Sequence, residues 1–355
     1  KLYFLFLLLI AGTLSYGQTS TQNFGTGTGS LSTASSNSTT LIPVPTSGTT
    51  YARTGTNGGS VNLSTTSNPF GATDTYVRSA AATGTSVIKF SPMIDYTTSK
   101  EFYTSFKVLF GDASVGTTAD SGSWTFYQGD GTNYSDGNAV GTAQTFTGLR
   151  FTFTATGIVT LQFLSGATWG TTGLTTTEFV QGSVHSVDVI GNNKISGDIT
   201  YSFNGNSGTV AVNKFDLYID GVLVGDDLTK GALANDANID SVTFTGISSA
   251  SNVANIFVDN VVVYNSVPAV ILGSVKNEIS NFSLYPNPVK GGKVFINSDN
   301  TFAERSVAIY DVLGKQVVSQ KGTQNSIEVS HLNKGVYIIK VAEEGKVATR
   351  KLVIE

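Results

Sequence analysis

The chain has 355 residues, of which 40% are hydrophobic and 13% are charged, and its formal net charge is −4. This length suggests about two domains, and the charged share lies well below the usual quarter or so of a globular protein. Neither half carries a basic stripe suited to phosphates, so a nucleic-acid partner is not expected. The chain has no cysteine, which excludes disulfides, thiolate metal sites and a lipid anchor on an N-terminal cysteine.

The first residues have the layout of an export signal. Lys1 is followed by an apolar run as far as Ile10, and Ser15 and Gly17 are small residues spaced as a cleavage site before Gln18 requires. A positively charged first residue, a short apolar core and small residues before the cleavage site are typical of a signal peptide. The apolar run is too short for a permanent membrane span. We therefore predict a signal peptide over residues 1–17, with export through the periplasm.

Residues 18–50 differ from the signal in composition. They are rich in Ser, Thr, Gly and Asn, and they include Pro43 and Pro45. This composition predicts a leader segment, part of it flexible and part of it an edge strand.

Residues 51–265 show the period of two that is typical of half-buried strands. Apolar and polar side chains alternate over residues 102–110, 149–154 and 158–163, and Asp220-Gly221 stands between two apolar runs. Asp-Gly in that setting is a strong hairpin signal, because both turn residues need a positive φ. The pattern predicts an all-β passenger domain, built as a sandwich or jelly roll.

A linker is predicted over residues 266–280, and a second small β-domain over residues 281–355. Four segments follow one another in that domain: LYPNPVKGGKVFIN (284–297), VAIYDVLGKQVV (307–318), LNKGVYIIKV (332–341) and KVATRKLVIE (346–355). Together they predict a small sandwich of about seven strands.

The four segments, in this order and spacing, resemble the type A C-terminal sorting domain of the type IX secretion system of Bacteroidetes-type bacteria. The motif positions are Tyr285, Pro286, Asn287, Pro288, Gly314, Gly335 and Tyr337. The resemblance implies that this domain meets the type IX machinery and guides the protein across the outer membrane. The passenger is then left on surface polysaccharide or released.

The passenger carries a second resemblance. The segments FDLYIDGVLVGDDL (215–228), IDSVTFTG (239–246) and NIFVDNVVVYN (255–265) are similar to the closing hairpins of concanavalin A-like jelly rolls, a group that includes laminin-G-like modules. That group contains lectins, adhesion modules, glycoside hydrolases and polysaccharide lyases, so the fold alone leaves the function open.

A catalytic pair is hard to find in the passenger. A glycosidase needs two carboxylates about 5–10 Å apart. The Glu-x-Asp-x-x-Glu strand of jelly-roll hydrolases is missing, and Glu101 and Glu178 are far apart in sequence. His185 shares a strand face with Val187 and Val189, which favours a structural role. We expect a non-catalytic glycan-binding or adhesion module, with a diverged carbohydrate-active enzyme as the alternative.

Two loops contain candidate binding residues. Trp169 and Tyr134 are predicted as exposed aromatics for an extracellular polysaccharide or surface glycan. In the loop GDGTNYSDGN (129–138), Asp130, Asn133 and Asp136 offer oxygen ligands of the kind that Ca²⁺ prefers. A plain solvated loop is the alternative for these three residues, and no other cofactor is predicted.

Overall fold

The computed structural model describes residues 19–71, 73–111, 119–273, 282–298, 305–312, 315–343 and 346–355. Their regular structure is β-strand, apart from two 3₁₀ turns at Thr142–Gln144 and Ala250–Asn252. The predicted all-β class is therefore confirmed. No helix within these ranges is long and apolar enough to cross a membrane. The predicted signal peptide, residues 1–17, lies outside the described residues.

The chain forms two compact units, Lys1–Val275 and Lys276–Glu355. The strands of the first unit are β1 (Thr19–Gln22), β2 (Gly29–Leu31), β3 (Asn37–Ser38), β4 (Thr49–Arg53), β5 (Ser60–Ser64), β6 (Tyr76–Ala80), β7 (Ile88–Ile94), β8 (Glu101–Gly111), β9 (Ser123–Gly129), β10 (Thr145–Phe153), β11 (Ile158–Ser165), β12 (Thr168–Gly170), β13 (Glu178–Val180), β14 (Val184–Asn192), β15 (Ile199–Phe203), β16 (Asn206–Val210), β17 (Lys214–Ile219), β18 (Val222–Thr229), β19 (Ser241–Ile247), β20 (Asn255–Tyr264) and β21 (Val270–Ile271).

Two large antiparallel sheets make up most of this unit. Sheet A has the order β18-β17-β14-β8-β20-β6-β5-β2, with β1 also paired to β20. Sheet B has the order β12-β11-β10-β9-β19-β7-β4-β3, with β13 also paired to β11. A small third sheet has the order β16-β15-β21. Because the chain passes repeatedly from one large sheet to the other, as from β8 to β9 and from β18 to β19, the unit is the predicted jelly-roll sandwich.

Aromatic side chains join the two sheets. Phe106 of sheet A lies 4.9 Å from Phe126 and 5.3 Å from Phe244 of sheet B, measured between ring centroids. The ring centroids of Phe110 in sheet A and Phe151 in sheet B are 4.7 Å apart. Each such pair contributes about 0.5–1.5 kcal/mol beyond the burial of its area. The alternation read from the sequence thus places the large apolar residues of β8 on the inner face.

The predicted hairpin at Asp220-Gly221 is present. Ile219 pairs with Val222 across the turn, and the two turn residues have φ values of 52° and 80°. Both values lie in the left-handed region that a two-residue hairpin turn requires.

The sandwich extends beyond the limits predicted for it. Strand β1 lies in the predicted leader and pairs with Val261–Tyr264 of β20, and Phe24 is fully buried in the core. The passenger therefore begins by Thr19 rather than at residue 51. At the other end, Val270–Ile271 pairs in parallel with Ser202–Phe203. Part of the predicted linker is thus packed on the sandwich, while residues 274–280 lie outside the described residues.

The second unit is a smaller sandwich. Its strands are β22 (Ser283–Tyr285), β23 (Lys293–Asn297), β24 (Arg305–Tyr310), β25 (Gln316–Gly322), β26 (Ser326–Glu328), β27 (Gly335–Glu343) and β28 (Lys346–Ile354). They form one sheet of order β22-β23-β26 and one of order β25-β24-β27-β28. Buried aliphatic side chains from both sheets, among them Val294, Ile309, Ile339 and Leu352, make one core.

A buried ion pair lies in this small sandwich. Arg305 Nε donates to Glu343 Oε2 at 2.6 Å, and the two side chains are 1% and 6% exposed. The guanidinium also donates to Ser298 Oγ at 2.8 Å and to Asn325 Oδ1 at 2.5 Å. A charge that has been taken out of water requires such partners, so this network constrains how β24 and β27 pack.

We expect Arg305→Met to destabilise β24 and β27 by about 3–5 kcal/mol, because it leaves the Glu343 carboxylate buried without its cation. Hydrogen–deuterium exchange of these two strands in the full chain measures the effect. The exposed pair Lys293–Glu328, with a separation of 3.7 Å, provides the control. Lys293→Met should leave the stability almost unchanged, because solvent screens this exposed pair. Equal protection of β24 in the Arg305→Met variant and the wild type would contradict this role of the buried ion pair.

Candidate functional site

Trp169 lies on the outer face of sheet B, in strand β12. Its indole packs over Gly148 of β10, where an added Cβ would come within 3.1 Å of Trp169 Cη2. The ring of Tyr127 lies 6.2 Å away at 70°, an edge-to-face arrangement. Because Leu149 next to Gly148 points into the core, Gly148 and the indole lie on the opposite, outer face. The predicted exposed aromatic is thus half-buried and held by its neighbours.

An arginine fixes the indole from a second side. The Arg150 guanidinium carbon lies 4.5 Å from the centre of the Trp169 ring, a cation–π contact. Arg150 Nε and Nη2 both donate to Gln162 Oε1, at 3.1 and 2.6 Å. Arg150 and Gln162 face each other in the β10–β11 register, so the sheet sets this geometry. We call Trp169, Tyr127, Arg150 and Gln162 the Trp169 platform.

The platform borders an open groove of about 870 Å³. The groove lies between β12, at one end of sheet B, and β18, at one end of sheet A, and we call it the edge groove. Its lining includes the hydroxyls of Thr168 and Thr229 and the exposed carboxylates of Asp226 and Asp227. Asp227 Oδ1 accepts the Ala211 N–H at 2.8 Å, which orients that carboxylate. An aromatic residue, hydroxyls and carboxylates therefore meet at one edge of the sandwich.

Tyr134 is placed differently from its prediction. Its side chain is fully buried and packs with Tyr51 and Ile94 against sheet B. Ser91 Oγ donates to the Tyr134 carbonyl at 2.7 Å, which fixes the loop on the sheet. Burial also raises the pKa of the Tyr134 hydroxyl well above its ordinary value. The prediction of an exposed ligand contact at Tyr134 is therefore wrong.

The loop at 129–138 is organised around a lysine. The Lys89 side chain is 1% exposed, and its ammonium donates to the carbonyls of Asn133, Asp136 and Asn138, the last at 2.9 Å. The Asp136 carboxylate lies 3.8 Å from the same nitrogen. Burial lowers the pKa of Lys89 to about 8, against the attraction of Asp136, so the ammonium form prevails at neutral pH.

The carboxylates predicted to bind calcium are used in the turns of the same loop. Asp130 Oδ1 accepts the Thr132 N–H at 3.0 Å, and Asp136 accepts from Asn138 through both oxygens, at 2.8 and 2.7 Å. In the described part of the chain, no three His, Cys, Asp or Glu residues are grouped as a metal site would need. Asp130, Asn133 and Asp136 do not fit a calcium site here, because Lys89 already supplies a cation to the loop.

The glutamates considered for catalysis lie in different sheets. Glu101 is in β8 of sheet A and pairs with Lys194 at 2.6 Å, whereas Glu178 is in β13, beside β11 of sheet B. His185 is buried, and its Nδ1 lies 2.8 Å from Asp220 Oδ2. The structure therefore does not bring the two glutamates into a facing pair.

Three buried aspartates on the outer face of sheet A, Asp188, Asp216 and Asp259, are absent from the sequence-based candidates. Asp188 accepts the Tyr103 hydroxyl at 2.7 Å, and Asp259 accepts the Asn260 N–H at 2.7 Å. Burial raises the pKa of both, that of Asp259 to about 6. The sequence signal was a carboxylate inside an apolar strand, in VHSVDVIGN and in NIFVDNVVVYN.

We expect Lys89→Met to lower the free energy of unfolding by roughly 1–3 kcal/mol, because three loop carbonyls lose their donor. Lys100→Met removes an exposed lysine that pairs with Asp236, and it should cost about 1 kcal/mol or less. Thermal denaturation compares the two variants. A chelator should leave the wild-type melting temperature unchanged. A chelator-induced drop would show that an ion, rather than Lys89, stabilises the loop.

Asp259 should give the stability a pH dependence. The pKa of the Asp259 carboxyl is 3.8 in the unfolded state and about 6 in the folded state. Between these two pH values the folded state therefore binds more protons than the unfolded state. The free energy of unfolding should therefore fall as pH rises from about 4 to about 6. In Asp259→Asn this fall should be smaller by about 2–3 kcal/mol. The exposed Asp226→Asn is the control. Identical pH profiles for Asp259→Asn and the wild type would contradict the buried placement.

In the second unit, the motif residues connect the first turn to the last strand. Asn287 Nδ2 donates to the Lys351 carbonyl at 2.8 Å, and Asn287 Oδ1 accepts the Val353 N–H at 2.9 Å. The flanking residues Pro286 and Pro288 both follow cis peptide bonds. Tyr285 is 54% exposed and stacks on Phe295 at 5.5 Å.

The other motif positions lie at the start of the long strand β27. Gly335 begins this strand, and the Tyr337 hydroxyl donates to the Asn333 carbonyl at 2.9 Å. Gly314 lies outside the described residues.

The chain was compared with known proteins and protein families. Solved structures similar to this chain include the binding domain of botulinum neurotoxin serotype D (10% identity, TM-score 0.39, covering 94% of this chain and 74% of that one). Another is the carbohydrate recognition domain of Emp46p (12% identity, TM-score 0.31, covering 54% of this chain and 83% of that one). A third is the globular domain of T. cruzi calreticulin (10% identity, TM-score 0.35, covering 58% of this chain and 79% of that one). No curated protein matches the sequence.

One family model matches the second unit. Residues 283–355 match the secretion system C-terminal sorting domain. This match covers the strands β22 to β28 and the motif positions from Tyr285 to Tyr337. Residues 283–355 are thus a sorting domain of the type IX secretion system, and the protein is exported to the cell surface or the medium.

Proposed function

We propose that the passenger is a non-catalytic, glycan-binding module, and that the Trp169 platform and the edge groove hold the sugar. The observation that carries this proposal is a half-exposed indole, fixed by Arg150 and Tyr127, at the border of an open groove. A fixed aromatic loses little conformational freedom when it binds, which favours affinity.

The lining of the groove suits a sugar. The apolar face of a pyranose ring stacks on an aromatic ring, and its hydroxyls donate to carboxylates such as those of Asp226 and Asp227. Threonine hydroxyls at Thr168 and Thr229 both donate and accept. An open site of this kind makes few contacts with its ligand, so we expect weak binding. Such a module attaches an exported protein to polysaccharide or mediates adhesion.

The placement of the glutamates supports binding without hydrolysis. Glu101 and Glu178 stand in different sheets, and Glu101 is engaged by Lys194. A glycosidase places its two carboxylates on either side of one bond, about 5–10 Å apart. A diverged carbohydrate-active enzyme is the alternative, and a reducing-end assay separates the two.

We expect Trp169→Ala to weaken binding on a glycan array at least about tenfold, the loss expected for an aromatic contact of roughly 1.4 kcal/mol or more. Trp169→Phe should retain part of the affinity. Ile195→Ala, at an exposed apolar residue outside the platform, is the control. The bound glycans should release no new reducing ends. Unchanged binding by Trp169→Ala would reject the site, and release of reducing ends would support the enzyme.

Deleting residues 283–355 should abolish appearance of the protein on the surface or in the medium of a host that has a type IX system. The reason is that residues 283–355 match the sorting domain, and this match does not include the passenger. Immunoblots of cell fractions and medium measure the outcome, with Lys293→Met as a full-length control. Normal extracellular levels of the shortened protein would contradict this role.

A further inference from the structure

The outer face of sheet A carries a second aromatic residue that is built into its sheet as Trp169 is. Tyr264 of β20 is half-buried and faces Tyr103 of β8 in the register. The two rings are stacked, with centroids 5.6 Å apart and planes at 28°. The Tyr103 hydroxyl donates to the buried Asp188 at 2.7 Å, and this hydrogen bond fixes the Tyr103 ring beside Tyr264. Tyr264 is therefore also a half-exposed aromatic held by a neighbour.

Tyr264 borders a groove of about 690 Å³. One wall is the segment 266–272, which we call the strap, with Val270 and Leu272 64% and 83% exposed. The strap is anchored, because Ser202 and Asn204 donate their N–H groups to the carbonyls of Ala269 and Ile271, both at 2.9 Å. The wall is thus fixed, although the side chains of Val270 and Leu272 are uncovered.

A second groove of about 850 Å³ adjoins the first, since Val262 lines both. Its other lining groups come from β1 and the following turn, from the segment 43–46 and from β20, and they include Thr21, Asn23 and Thr46. Together the two grooves make a path over β20, between the strap and the segment around β1. A path of this form fits an extended chain rather than a compact molecule.

The chemistry of the path differs from that of the edge groove. Among the residues that the structure describes, those lining the two grooves are uncharged, and the polar groups are hydroxyls and amides such as those of Ser105, Asn23 and Asn260. Such groups pair with hydroxyls without the desolvation cost of an ion. The edge groove, by contrast, contains two carboxylates. The path over β20 therefore fits a neutral, polyhydroxylated chain.

We propose that this path is a second glycan site, specific for a neutral linear polysaccharide, and that the passenger binds two glycan chains at once. This inference rests on the proposed function for its ligand class but uses different residues. The outer faces of two packed sheets point in opposite directions, and the sheets are about 10 Å apart. A single short oligosaccharide does not reach both Trp169 and Tyr264. The module consequently cross-links polysaccharide chains.

Isothermal titration with neutral hexasaccharides (cello-, manno-, xylo- and laminarihexaose) counts the sites in the full chain. The wild type should bind two equivalents of the preferred hexasaccharide, and Tyr264→Ala and Trp169→Ala should each bind one. The double variant should bind none. Val262→Arg is a second test that keeps Tyr264, because its long side chain fills the point where the two grooves meet. It should also reduce the stoichiometry to one.

The outcomes separate the second site from the first. One equivalent in the wild type, lost in Trp169→Ala and unchanged in both Tyr264→Ala and Val262→Arg, would overturn the second site and leave the proposed function standing. One equivalent that survives Trp169→Ala would overturn two-site binding and the platform together. Turbidity on mixing with the parent polysaccharide should appear for the wild type and disappear for each single variant. Turbidity that persists in Tyr264→Ala would also overturn the proposal.

Discussion

The aromatic layer between sheets A and B is the interaction on which the rest of the passenger depends. Phe106 meets both Phe126 and Phe244, and Phe90 stacks on Phe244 at 4.8 Å, so one continuous layer joins strands that are far apart in sequence. Alternation along each strand gives the inner face these rings and leaves the outer face for polar groups. Any aromatic on an outer face then needs a local support, as Arg150 provides for Trp169.

Local pattern predicted much of this architecture. The period of two in residues 102–110 placed β8 correctly, and Asp220-Gly221 forms its hairpin turn. The sorting motif was recognisable because Tyr285, Pro286, Asn287 and Pro288 are consecutive in the sequence, although Asn287 then bonds to the distant Lys351 and Val353. Trp169 was predicted to be exposed, but the structure has it half-buried against Arg150. Arg150 is distant in sequence, so no local pattern shows this contact.

Non-local contacts explain what the sequence did not predict. An edge strand was predicted within residues 18–50, but its position was not. It is β1, which reads TSTQ without an apolar period and pairs with β20 beyond the bulge near Asn260. Tyr134 lies in a turn-rich loop, but the loop folds onto sheet B around the Lys89 ammonium. In both cases a partner that is distant in sequence determines the conformation. A pattern among neighbouring residues does not reveal such a partner.

The chain contains two tryptophans, and this makes the central claim directly measurable. Trp124 is fully buried in the core and donates its indole N–H to the Ala254 carbonyl at 3.2 Å, so an added sugar does not reach it. Under the proposed function, Trp169 is the tryptophan that the glycan contacts. Titration of the full chain with a glycan that it binds should give a saturable change in tryptophan emission, and Trp169→Phe should abolish that change. Emission that stays constant while the glycan is bound would contradict a sugar site at Trp169.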